Sequence, residues 1–398
     1  MSFSSRRRNY MLVSHRRDQF IEFVKKLLQP SFVLDALPAT AGNSWRHVEE
    51  LLDEHRALDG SSETSRLKEA VPTIGTFHTP LPLEAAWNQF DERFRVSARR
   101  HVQPSFNEVR EILNLAQVMA YGLAGGSLKF VSFDGDCTLY KDGKNFEDAA
   151  LGAQIARLLQ RGVTVALVTA AGYGYDAARY ERRLEGLLRV FDEANVPAET
   201  LRRFYVCGGE CNYLLQLDRA EAGGGARLES REATWDVAFD DARAVKMLDA
   251  AEATLRTAVD DMRLGGARII RKARAVGLVP RVSRREQLDE AVLRVQEALR
   301  GPTHLPFCAF NGGSDVWVDV GTKREGVQGF QRLLGIAPSE CLHVGDQFLT
   351  TGNDHASRGS CPTIWITNPN ETKSILNDIL EVVDPQQGSS TYELPRTP

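Results

Sequence analysis

The chain has 398 residues, with 53 acidic against 49 basic side chains, a formal net charge of −4, 42% hydrophobic residues and 26% charged ones. These are the proportions of a globular protein too long for one ordinary core, so two or three domains are expected. A charge this near neutrality excludes a general attraction to nucleic acid or a membrane surface, and no apolar run approaches the roughly 20 residues that cross a bilayer.

Arg6, Arg7 and Arg8 are followed by no apolar stretch, and Asp18 and Glu22 interrupt the basic run, which argues against a secretory signal or a mitochondrial address. His15-Arg16-Arg17 could hold an anion, although a solvated helix start is the plainer reading. Periodic apolar residues from Asp18 to Leu28 predict a helix that Pro30 stops, and Ser44 is placed to cap another through Val48, Leu51 and Leu52. Gly60 to Pro82 reads as loop. Ser105-x-x-Glu108 is a capping box opening a helix to about Tyr121, which Gly122 to Gly126 close. Residues 1–122 are therefore expected to be a helical region without catalytic signatures.

The texture then changes to alternating strands and helices. Lys129 to Thr138 is an apolar strand ending in Asp134-Gly135-Asp136, two carboxylates that repel unless a cation lies between them or one keeps a proton. That chemistry favours magnesium, with one aspartate attacking and the other delivering a proton; ordinary turn aspartates are the plain alternative. Glu147 to Gln160 predicts a helix, Val163 to Thr169 a strand covered on both faces, and Asp176 to Glu193 a second helix. The rhythm breaks over 201–302, with strand and turn from Arg203 to Leu217, a glycine-rich linker from Glu221 to Ala226, and helical patterns flanking Arg268 to Arg271. This is read as an inserted α+β domain between core segments 123–200 and 303–384. Strand signals return at Asp315 to Val320, feeding a helix from Lys323 to Leu334, then at Cys341 to Asp346 and Thr363 to Thr367; Asn370 to Leu380 predicts a closing helix. The tail 385–398 has the composition of a disordered segment. Cys137, Cys207, Cys211, Cys308, Cys341 and Cys361 form no Cys-x-x-Cys pair and read as buried free thiols in a reducing cytoplasm.

Four strands thus end at Asp134/Asp136, Thr169, the turn to Lys323, and Asp346. In one parallel sheet those ends would share a crevice. Asp134 and Asp346, with the backbone carbonyl of Asp136, suit a magnesium ion, while Thr169 and Lys323 suit phosphoryl oxygens.

Asp134-Gly-Asp136-x-Thr138, Thr169, Lys323 and Gly345-Asp346 resemble the four motifs of the haloacid-dehalogenase superfamily of phosphohydrolases. The resemblance implies a Rossmann-like core with a parallel sheet, Asp134 as nucleophile, Asp136 as general acid/base, and a large inserted cap domain between Thr169 and Lys323. In many members a second acid follows the last aspartate within about four residues; here Asn353-Asp354 comes eight later, which leaves Asp354 a supporting role. More specifically, Ser14-His-Arg-Arg-Asp-Gln-Phe-Ile-Glu, Phe133-Asp-Gly-Asp-Cys-Thr-Leu-Tyr with Asp142-Gly143, and Asn311-Gly-Gly-Ser-Asp-Val-Trp-Val-Asp-Val-Gly-Thr-Lys323 are similar to the IMP-specific 5′-nucleotidase family of fungi and apicomplexan parasites, over about residues 8 to 380. That resemblance implies Mg²⁺-dependent hydrolysis of inosine 5′-monophosphate, a homotetramer, and stimulation by ATP through the helical N-terminal region. It also makes Asp142, Asp315 and Lys323 expected nucleotide contacts, which with Asp136 and Thr169 complete the expected substrate-binding set.

Tyr140, Trp317 or Phe348 could stack on the base, and each could equally be a packing residue. Asp142 also fits a plain turn in Lys141-Asp-Gly-Lys144. Two other functions stay open: a phosphatase of the same core acting on other nucleotide or sugar phosphates, and a non-enzymatic nucleotide sensor. A substrate panel separates the first; loss of any of Asp134, Asp136, Lys323 or Asp346 would have pointed to the second.

Overall fold

Phe130–Phe133 (β1) is buried along its whole length, and a seven-stranded sheet is assembled around it in a computed structural model. The structure describes residues 18–33, 39–99, 101–123, 128–220, 224–231, 240–301 and 305–383; Arg6 to Arg8, His15-Arg16-Arg17, part of the glycine-rich linker and the tail from Pro385 lie outside them.

Ahead of the sheet come helices α1 (Gln19–Val33), α2 (Ala39–Ala57), the short α3 (Arg66–Ala70), α4 (Leu83–Phe94) and α5 (Phe106–Leu123). Two boundaries differ from expectation: α1 continues through Pro30, and α2 begins at Ala39, ahead of Ser44. A proline removes one amide donor and bends a helix, but burial of Phe20, Ile21, Val24 and Leu28 on the α1 face outweighs that local cost. The capping box of α5 is present, with Ser105 N donating to Glu108 Oε2 at 2.7 Å and Glu108 N donating to Ser105 Oγ at 3.2 Å.

These helices share one apolar cluster that also takes in Phe348 and Trp365. Asn114 on α5 donates to Trp365 O at 2.7 Å and accepts from Trp365 N at 3.0 Å, so a helix side chain occupies the open rim of an edge strand. Asp18 caps α1 through Ile21 N at 3.0 Å and pairs with Arg358 at 2.8 Å. Burial alone would raise this carboxyl, but the Arg358 guanidinium and the Ile21 amide outweigh it and hold it below its ordinary value of 3.8. A depressed value means stability that is present above pH 3.8 and lost as pH falls below it. Asp18→Asn is therefore expected to cost about 1–2 kcal/mol at pH 7, with the gap to wild type closing in acid; urea melts at both pH values measure it.

The larger sheet comprises β1, β2 (Thr164–Val168), β3 (Phe204–Gly208), β4 (Tyr213–Arg219), β5 (Ala226–Arg231), β10 (Cys341–Gly345) and β11 (Thr363–Trp365). Its order is β11-β10-β1-β2-β3-β4-β5; the first five run parallel, and β4 and β5 join antiparallel. Between β2 and β3 lie α7 (Ala177–Arg183), α8 (Glu185–Glu193) and the short α9 (Ala198–Leu201). The expected single helix from Asp176 to Glu193 is broken at Leu184, where Gly186 packs so closely on the Phe146 carbonyl that a side chain would not fit. One face of the sheet carries α6 (Ala149–Gln160), α8 and α13 (Pro369–Val383) through Val131, Phe133, Val165 and Leu167. The other face carries α12 (Lys323–Leu334), whose Val327 and Phe330 meet Phe130, Ala166 and Val168.

A second, wholly antiparallel sheet has the order β6-β7-β9-β8, from Arg268–Arg271, Ala275–Val279, Val316–Val320 and Phe307–Asn311 respectively. It shares a core with α10 (Asp241–Asp261) and α11 (Arg285–Ala298). The pairing moves two segments relative to the sequence expectation. Phe204 to Arg231, expected in the insertion at 201–302, extends the larger sheet, and the strand leading to Lys323, expected in the parallel sheet, belongs to the smaller one. Among the described residues no helix is long and apolar enough to cross a membrane.

Candidate functional site

The backbone of β1 carries Asp134 to the carboxyl end of the sheet, where Asp134 N donates to Val344 O of β10 at 2.9 Å. Asp346 follows β10 directly, so the two aspartates leave neighbouring parallel strands at the same level. This is the switch point of the sheet, since β2 lies on the other side of β1. Lys323 arrives differently: it is the first residue of α12, capped by Thr322, whose hydroxyl accepts from Arg324 N at 3.1 Å. Its ammonium is fully buried, 2.7 Å from Asp134 Oδ1 and 2.5 Å from Asp354 Oδ1.

Asp354 is thus a central member of the site. Its Oδ1 also accepts from His343 Nε2 at 2.9 Å, and its Oδ2 accepts from Gln347 N at 2.8 Å. The Ser132 hydroxyl lies 2.8 Å from His343 Nδ1, so a neutral imidazole donates to Asp354 and accepts from Ser132. Carboxylate oxygens of Asp134, Asp346 and Asp354 lie within 4.8 Å of one another. Three hard oxygen donors beside one ammonium suit a small divalent cation such as magnesium. The expected metal set was Asp134, Asp346 and the backbone carbonyl of Asp136; Asp354 joins the two carboxylates here, while the Asp136 carboxylate is turned to other partners. It accepts from Gly143 N at 2.8 Å and pairs with Arg183 at 3.3 Å.

The charges balance in a definite way. Burial pushes the Asp134 carboxyl up to about 6 against the opposing pull of Lys323. Asp354 is buried too, yet Lys323 and His343 hold it below the ordinary carboxylate range. For Lys323 burial favours the neutral amine, but Asp134, Asp354 and Glu210 together raise it well above 10.5. Lys323→Met leaves those acids without their cation and is expected to destabilise the metal-free protein by about 3–5 kcal/mol. An unchanged urea midpoint would contradict this.

Thr169 is buried at the end of β2, its Oγ1 accepting from Ala171 N at 3.1 Å. Gly135 lies against Thr169 Oγ1 and the Tyr140 hydroxyl so closely that a Cβ there would strike the tyrosine. Asp142 lies in the expected turn, where Lys144 N donates to Lys141 O at 2.9 Å and Gly143 has φ 65°. Across the boundary stands Asp315 of the smaller unit; burial raises its carboxyl, and the charge of Asp142 adds to that rise. The fold thus brings Asp142 and Asp315 within electrostatic reach of each other. Trp317 is half-buried, with Lys272 Nζ 4.1 Å from its ring centre. Tyr140 is buried beneath Arg183, whose guanidinium is 5.1 Å from its ring centre. Phe348 packs with Trp365 and the N-terminal helices, and its ring meets that of His343 edge-on at 5.9 Å.

Sequence reasoning passed over His343, Arg183 and Glu210. Glu210 had a usable signal, since Gly208-Gly209-Glu210 is another acid just past an apolar strand. Burial pushes its carboxyl up to about 7, with Lys323 pulling the other way.

The family model for IMP-specific 5′-nucleotidases matches residues 2–376. A curated IMP-specific 5′-nucleotidase of Eremothecium gossypii is 41% identical, covering 96% of this chain and 99% of its own length. One from Plasmodium falciparum is 37% identical, over 92% of this chain and 84% of its own. Two solved structures of the Plasmodium falciparum IMP-nucleotidase are also similar. The IMP-bound, N-terminally truncated form has TM-score 0.84 at 36% identity, covering 94% of this chain and 98% of that one. The ATP-bound form has TM-score 0.81 at 36% identity, covering 97% and 89%.

Proposed function

The chain belongs to the IMP-specific 5′-nucleotidase family and is a hydrolase, and from that premise we propose that it converts inosine 5′-monophosphate to inosine and phosphate on a haloacid-dehalogenase core capped by the smaller α+β unit. The observation that carries this reading is the buried Lys323 ammonium joining Asp134 to Asp354 beside Asp346. Asp134 attacks phosphorus in line while protonated Asp136 delivers its proton to the departing ribose 5′-oxygen. Water, deprotonated by Asp136, then hydrolyses the aspartyl-phosphate. Lys323 and the Thr169 hydroxyl hold phosphoryl oxygens. Asp134, Asp346 and Asp354, with the Asp136 backbone carbonyl, would hold Mg²⁺, which when bound neutralises charge developing on those oxygens. Asp142 and Asp315 face the nucleoside from core and cap.

ATP is the proposed activator. A cavity of about 870 Å³ lies where all three parts meet, lined among others by Phe77 and His78 of the N-terminal region, Leu293 of the cap, and Arg324, Phe348 and Arg358 of the core. Its aromatic and guanidinium groups suit a nucleotide, and Arg324 and Phe348 sit close in sequence to Lys323 and Asp346. A homotetramer in the cytoplasm is carried by the family likeness and suits six free, buried cysteines. Phosphate release from IMP, AMP, GMP and sugar phosphates, with and without Mg²⁺ and ATP, tests the whole reading. Preference for IMP with dependence on Mg²⁺ supports it; equal rates across the panel would replace it with a general phosphatase. Phe77→Ala and His78→Ala should blunt the ATP response, and full stimulation in both would place ATP elsewhere.

A further inference from the structure

The turn after β3 holds three consecutive residues with positive φ: Gly209 at 59°, Glu210 at 52° and Cys211 at 71°. For the two non-glycine residues this backbone costs about 1–2 kcal/mol each and persists only where the surroundings impose it. Here they do. Gly209 N donates to Ala171 O and Glu210 N to Thr169 O, both at 3.1 Å, and Asn212 Nδ2 donates to Val320 O at 2.5 Å. Cys211 Sγ lies where a side chain on Gly326 of α12 would go. The turn is therefore packed against the end of β2, the exit from the smaller unit, and the helix that begins at Lys323.

Its consequence is to drive Glu210 into the interior, where the residue has no exposed surface. Oε1 accepts from Asn353 Nδ2 at 3.0 Å, and Oε2 has no hydrogen-bond partner among the described residues. A strained backbone that buries a carboxylate with one oxygen unsatisfied is unfavourable for stability alone, which points to function. Asn353 immediately precedes Asp354, and Asp354 N donates to Gln347 O at 3.1 Å while Gln347 N donates back to Asp354 Oδ2 at 2.8 Å. The loop carrying Asp346 and Asp354 is thus closed on itself, and Glu210 ties it to the β3 turn.

We propose that Glu210 is a positioning residue for the divalent-cation site, acting through Asn353 to fix the loop that presents Asp346 and Asp354. This rests on the cation reading of the three carboxylates, and direct binding of Mg²⁺ alone, measured by calorimetry on the full-length protein, separates the two. Outer partners that orient metal ligands are typically worth 10–100-fold in affinity. Glu210→Ala is expected to weaken Mg²⁺ binding by about that factor. Glu210→Gln, which keeps an acceptor for Asn353, should stay within about 3-fold of wild type, well short of that range. Asn353→Ala should match Glu210→Ala and carries the test if the latter fails to fold. Because both act on one contact, the double variant should be no weaker than either single. In steady-state kinetics the Mg²⁺ requirement should rise while KM for IMP at saturating Mg²⁺ stays put. Wild-type Mg²⁺ affinity in both single variants would overturn the proposal, as would fully additive losses in the double. No Mg²⁺ binding by the wild type itself would remove the cation reading and this inference with it.

Discussion

Asp134→Asn is expected to abolish phosphate release from IMP and to leave the protein folded. In the proposed mechanism the Asp134 carboxylate forms the bond to phosphorus, and an amide oxygen in its place is too weak a nucleophile to replace it. The position itself is robust to the change, because Asp134 N remains bonded to Val344 O and Lys323 keeps Asp354 as a partner. The electrostatics add a second expectation. Burial raises the carboxyl to about 6, so the folded state holds a proton more tightly than the unfolded chain, and stability falls as pH rises through that value. The neutral amide removes this cost, so in metal-free buffer at pH 7 the variant should melt no lower than wild type, a residue kept for chemistry at the expense of stability. Near-normal turnover would remove Asp134 as the nucleophile. In the wild type, Mg²⁺ bound at the three carboxylates would favour the ionised form, so on the proposed reading the acid limb of the rate profile should move below about 6 as Mg²⁺ is raised.

Asp136→Asn should lower turnover of IMP by about 10²–10⁴, the usual weight of a general acid. A ribose alkoxide leaves poorly without a proton, whereas p-nitrophenolate needs none, so the loss on p-nitrophenyl phosphate should be much smaller. Equal losses on both substrates would contradict the acid role. The resting geometry fits a side chain apart from the metal. Asp136 is turned toward Gly143 N and Arg183 rather than into the carboxylate trio. Its charged partner Arg183 stacks over Tyr140, so proton transfer at Asp136 requires that this ion pair loosen when substrate arrives.

Much of the site was legible in the one-dimensional pattern. Asp134, Thr169 and Asp346 were placed at strand ends because unbroken β-branched and aromatic runs mark buried parallel strands, and the structure ends β1, β2 and β10 immediately before them. The capping box at Ser105 and the helix from Lys323 to Leu334 were equally readable, since caps and amphipathic periods are local signals.

What sequence alone determined is therefore the set of elements and the reactive side chains at their tips. Tertiary structure decided which strands bond to which. Val316–Val320 carries no local mark of its antiparallel partners, and Phe204 to Arg231 none of its attachment to the larger sheet, because hydrogen bonds between strands are made over long sequence separations. It also brought Asp354 and Glu210 to Lys323: one by a loop that bonds to itself across the gap from Asp346, the other by a left-handed turn held from three sides. Burial then set the charges, since a carboxylate acquires its protonation behaviour from neighbours that only the folded chain supplies.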